Sequence, residues 1–153
     1  MARKLLSSEL MVTLTGNLWR NLMAKIERGS FTPNGTPPFT TTVFFNDGTL
    51  LADVIQFSNG PSATGSDGIC HSSNGMMTPT QQTTKALIFA SSALGGKTEQ
   101  VNNKCLLHYN LSGGVITKVL QGSFNSMSTA GEFTINIDTL SGTQPIYFVA
   151  TQY

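Results

Sequence analysis

Cys70, His71, Cys105 and His108 are the only thiols and imidazoles in the chain, so any transition-metal or thiol chemistry has to use them. Zinc accepts two thiolates and two imidazoles in a tetrahedron, and the set is chemically admissible. The spacing speaks against it. Cys105 and His108 are three residues apart, and on an extended strand an odd separation sends them to opposite faces. Adjacent Cys70 and His71 are badly placed to chelate one ion. No metal site and no cofactor is expected. Cys105 shares parity with Leu107, Tyr109 and Leu111, as a small core residue would, and His108 falls on the other face with Leu106 and Asn110. A Cys70–Cys105 disulfide stays open in an oxidising compartment.

Hydrolytic chemistry fares no better. A histidine base needs a nucleophile beside it and an acid behind it, and hydroxyls are too abundant here for proximity to mean anything. The chain has no GxSxG elbow, no GxGxxG turn and no P-loop. Glycoside cleavage needs two facing carboxylates, and Asp53 and Asp138 meet only if their strands are neighbours. No catalytic residue is assigned, and an enzyme is not expected.

The totals point the same way. Of 153 residues 39% are hydrophobic but only 11% are charged, against about 25% in ordinary soluble domains. Ser, Thr, Asn, Gln and Gly fill the difference. Charge is depleted where proteins touch one another, so this composition suits a surface that meets other protein. The net charge is +1, and Arg20, Lys25 and Arg28, the richest basic stretch, is offset by Glu27. Tracking a phosphate backbone takes clustered Lys and Arg, so nucleic acid is not an expected partner. Arg3 and Lys4 precede Leu5 and Leu6, but Ser7, Ser8 and Glu9 break the apolar run, so no signal peptide is expected. No stretch has the ~20 apolar residues of a membrane-spanning helix, and a membrane partner is not expected.

The elements that would position these residues are mostly strands. Residues 104–111, 115–124, 132–140 and 145–152 read as a C-terminal meander of four. In the third, Phe133, Ile135 and Ile137 alternate with Thr134, Asn136 and Asp138, the period of a strand with one dry face. Residues 39–45 and 49–57 read as a hairpin around Asn46-Asp47-Gly48. Both parities of the return strand are apolar, which predicts burial on two sides. Residues 83–90 form a short buried strand, and 91–103 a polar connection. Residues 58–84 read as one long loop, a candidate contact region. Residues 1–29 stand apart, with seven charged residues and a helical stripe of Leu18, Leu22 and Ile26, widened by Trp19 and Met23. Asn17 would cap this helix and Gly29 would end it.

The expected fold is therefore mainly β: an antiparallel β-sandwich or small barrel over residues 30–153, with an N-terminal arm or helix over residues 1–29. The interface candidates are Leu18, Trp19, Leu22, Met23, Ile26, Met76 and Met77. Composition and plan together resemble the small β-rich structural proteins of phage particles, of the capsid decoration or cement type. The resemblance is diffuse, covers the whole chain and carries over no site residue. It implies a non-enzymatic virion component that forms homo-oligomers or binds a capsid or tail protein lattice. A tail-tube or tail-fibre subunit is one alternative. A glycan-binding adhesin is another, with Tyr109, Asn110, Gln144, Tyr147 and Tyr153 as its site.

Overall fold

The computed structural model describes residues 24–59, 70–89, 96–112 and 115–153, and the description below is of these. They form ten strands in two antiparallel sheets. The strands are β1 (Lys25–Phe31), β2 (Phe39–Phe44), β3 (Val54–Asn59), β4 (Cys70–Met77), β5 (Gln82–Phe89), β6 (Gly96–Val101), β7 (Leu106–Ser112), β8 (Val115–Ser126), β9 (Glu132–Leu140) and β10 (Ile146–Gln152). One sheet has the order β1-β10-β3-β4-β5-β6 and the other β2-β9-β8-β7. The mainly-β, two-sheet sandwich expected from the sequence is what the chain forms.

β1 pairs with β10 from Lys25↔Gln152 to Phe31↔Ile146, and β2 pairs with β9 from Phe39↔Ile137 to Phe44↔Glu132. The β1–β10 ribbon lies in the larger sheet and the β2–β9 ribbon in the smaller one. The predicted meander therefore holds only for β7, β8 and β9. β10 leaves it and enters the larger sheet between β1 and β3.

Three other expectations are corrected. Residues 25–29, assigned to the end of a helix, are strand β1. A seven-pair ladder to β10 outweighs the weak helical preference of Lys, Glu and Arg. Gly29 is no helix stop; it lies under the Phe148 ring, where an added Cβ would sit 2.6 Å from Cζ. The segment 39–57 is no hairpin, because β2 and β3 belong to different sheets. Asp47 instead folds the chain into a corner, its carboxylate accepting from the Thr49 amide at 2.9 Å and the Thr49 hydroxyl at 2.6 Å. The double apolar parity of 49–57 marks a switch of facing: Leu50 and Ala52 are buried before Asp53, Ile55 and Phe57 after it. Finally, β4 and the first part of β5 lie within the predicted loop 58–84, and β6 within the predicted connection 91–103. Their sequences are polar because one face of that sheet is wet.

The main core lies between the sheets. Phe133 is its centre, with ring centroids at 5.3 Å to Phe148, 5.5 Å to Phe45, 5.9 Å to Phe57 and 6.0 Å to Phe31. A smaller cluster holds Ala86, Ile88, Leu107 and Tyr109. Strand β7 and the residue before it join the two, with Cys105 and Leu106 in the first and Leu107 and Tyr109 in the second. β7 approaches β4 so closely that a Cβ on Gly75 would stand 1.7 Å from the Cys105 carbonyl oxygen. Only glycine fits there.

Candidate functional site

The most distinctive surface is the corner where β1, β10 and the β2–β3 crossing meet. Glu27 on β1 accepts from the amides of Asn46 at 2.6 Å and Asp47 at 3.0 Å, holding the crossing against the sheet edge. Lys25 reaches Asp47 at 3.4 Å and the Thr49 hydroxyl at 3.1 Å. From the other side, the Tyr153 amide donates to Asp53 at 2.7 Å, and the Leu51 amide donates to the Gln152 side chain at 3.3 Å. These bonds fix three large apolar side chains in solvent at one corner: Ile26, Leu51 and Tyr153, which are 54%, 41% and 83% exposed. The described fold begins beside this corner, with Lys25 registered on Gln152.

Most carboxylates of the described chain are engaged in holding the scaffold. Glu27, Asp47 and Asp53 tie the corner together, and Asp138 pairs with Lys104 at 2.8 Å. Asp47 is held below the usual carboxylate range by its bonds to Thr49, with Lys25 adding to the effect. Asp53, in the bend before β3, accepts from the Tyr153 amide, while Asp138 on β9 pairs with Lys104, and β3 and β9 are not neighbours, so the two do not form the facing pair that the sequence left open.

The thiol and imidazole chemistry is likewise enclosed. Cys105 is a free thiol, fully buried, and burial pushes its pKa up to about 12. It is a core residue, as its parity indicated. His108 is buried at 2% exposure. The side chains of Cys70 and His71 lie outside the described residues. Among the described residues no group of three or more His, Cys, Asp or Glu is arranged to hold a metal ion.

Tyr109 was a candidate for an exposed sugar platform and is instead buried in the smaller cluster. Its hydroxyl donates to Glu99 on β6. Lys97 lies 3.1 Å from that carboxylate and Lys118 3.7 Å, and both ammonium groups stand over the Tyr109 ring. The phenol and the two lysines hold the Glu99 carboxyl below its usual value, while burial and the Glu99 bond push the Tyr109 hydroxyl well above its own.

The remaining predicted residues scatter. Leu18, Trp19, Leu22 and Met23 lie outside the described residues. Met77 is fully buried in the main core, opposite Ile55, and is no surface contact. Met76, its neighbour, points to the outer face. Tyr147 and Tyr153 are exposed at opposite ends of β10, Asn110 is half-buried on β7, and Gln144 is half-buried just before β10. The five residues of the sugar set are thus not gathered into one site. What the sequence reading passed over is the outer face of the larger sheet, where Asn74 and Gln100 lie in one transverse row and Gln56 in the next. The chain matches no protein-family model, no curated protein and no solved structure.

Proposed function

We propose that this protein is a non-enzymatic assembly subunit, a virion component of the capsid decoration type that binds and reinforces a protein lattice. The corner carries the reading: Ile26, Leu51 and Tyr153 are held in solvent beside Lys25, the first residue of β1, and the sequence before it contains Leu18, Trp19, Leu22 and Met23. Covering such side chains yields about 25 cal/mol per Å² of apolar area. A stable interface buries roughly 1,200–2,000 Å² in total, more than three side chains offer, so the arm has to supply the balance. Low charge favours the same reading, because few ions need desolvating on contact. Repeated copies on a symmetric lattice add avidity to a modest single contact.

Molar mass in solution, measured by light scattering with and without a candidate capsid, tests the proposal. The full chain is expected to self-associate or to co-elute with the lattice. The double variant Ile26→Asp, Tyr153→Asp and a chain lacking residues 1–16 are each expected to stay folded and to lose that association. A chain that remains monomeric and ignores every lattice, or an association untouched by both changes, would overturn it. A tail-tube subunit would polymerise without any lattice, and the same measurement separates the two.

A further inference from the structure

The register of the larger sheet lines its outer face with two transverse rows. One runs Ser30, Tyr147, Ser58, Asn74, Lys85 and Gln100 across all six strands. The next runs Arg28, Val149, Gln56, Met76 and Thr83, and Thr83 continues it by donating to Asn102 at 3.2 Å. Three shallow depressions follow these rows. The first, of about 330 Å³, lies between Tyr147, Gln56 and Asn74. A second of about 270 Å³ shares Asn74 and extends to Gln100. The third, of about 570 Å³, shares Met76 and Gln100 and ends against Phe124. From β10 to β6 the trough crosses four inter-strand steps, a length of about 19 Å.

We infer that this trough is a binding site for an extended neutral oligosaccharide laid across the strands. Its chemistry is that of hydroxyl recognition. Among the described residues, the side-chain amides of Gln56 and Asn74 have no hydrogen-bond partner, and each offers two donors and an acceptor oxygen to solvent. Tyr147 is 51% exposed, so its ring is open for a sugar face to lie on, with its hydroxyl left to bond. Met76 and Val149 give apolar floor between the amides. Lys85 is the one charged residue between the ends of the two rows, and its stem can lie along the trough with the ammonium in water. Most of the trough is paired strand, so little backbone has to be ordered on binding, which lowers the entropic cost of capturing a weak ligand. The residues differ from those of the chain-end corner, so this inference stands or falls separately from the assembly reading.

Calorimetric titration of the full chain with neutral hexasaccharides tests it, using glucan, mannan, xylan and N-acetylglucosamine series. At least one hexasaccharide is expected to bind, more tightly than its own trisaccharide, because a longer ligand spans more of the trough. Tyr147→Ala is expected to weaken binding about tenfold through the lost ring contact. The double variant Gln56→Ala, Asn74→Ala is expected to weaken it about tenfold as well. All three positions point away from the core, so unchanged thermal melting is expected and separates lost contacts from lost folding. Absence of binding by every series would overturn the inference, as would binding that both variants leave intact. If Tyr147→Arg instead dissolves an oligomer that binds no sugar, the face pairs with a second copy and the inference fails.

Discussion

The two buried clusters of the sandwich are closed by opposite means. Around Phe133 four phenylalanine rings fill the gap between the sheets. Around Tyr109 the apolar part is small, and Glu99, Lys97 and Lys118 finish the closure. The cause is an unequal strand count. Four strands cannot cover six, and β6 lies at the far edge of the larger sheet. On β6 the inward positions, registered on Ile88 and Ala86, are therefore Lys97 and Glu99. Long charged side chains span from there to β7 and β8 with their heads still partly wet. One region is dry and held by burial, the other is polar and held by bonding. They should answer differently to substitution and to pH.

The largest effect is expected at the seam between them. Gly75→Ala pushes a methyl into the Cys105 carbonyl, and backbone must move to admit it. A loss of about 4 kcal/mol or more in denaturant unfolding is expected, at the exceptional end for a single substitution. Phe133→Ala empties the centre of the dry region and should cost about 3–5 kcal/mol. That loss should be the same at every pH at which the protein folds, since no ring in the cluster titrates.

Tyr109→Phe should cost less, about 1 kcal/mol at neutral pH, since one hydrogen bond goes and the ring stays. Its signature is pH dependence. Glu99 has a lowered pKa in the folded protein, so its contribution is present above the ordinary value of 4.5 and is lost as pH falls below it. Tyr109 has a raised pKa, so its contribution is present below the ordinary value of 10.0 and is lost as pH rises above it. The stability gap between wild type and Tyr109→Phe should therefore be widest between these limits and narrow on both sides. A gap constant with pH would mean that the phenol–carboxylate bond contributes nothing and that the two regions are alike. The smallest effect is expected outside both clusters. Lys104→Ala removes a surface pair with Asp138 and should cost less than about 1 kcal/mol, fading in high salt.

The sequence was most readable where one face of a strand is dry. Phe133, Ile135 and Ile137 announced β9, and all three are buried. β4 escaped notice because its inward residues Ser73 and Gly75 are small, and its outward residues are amides and hydroxyls. Close approach by β7, and not hydrophobicity, selects those small residues. β1 was mistaken for helix because its pairing partner lies more than a hundred residues away, and no local pattern records that pairing. The Asn46-Asp47-Gly48 turn was found, but turn chemistry alone does not say whether the outgoing chain returns to its own sheet. The corner site was half legible. Ile26 was singled out for a helical stripe it does not belong to, and Leu51 and Tyr153 take on meaning only when β10 brings them beside it.

The position of β10 has a bearing on how the protein is made. Ile146–Gln152 occupies an interior place in the larger sheet, between the strand that opens the described fold and β3. On the ribosome, β1 and β3 wait with facing ladders unfilled until those residues have left the exit tunnel. Contacts of such long sequence separation form slowly, and unfilled strand edges invite the wrong partner. A nascent chain shorter than this has neither a closed sheet nor a finished corner. Until β10 has been made and has paired, Ile26, Leu51 and Tyr153 are not brought together.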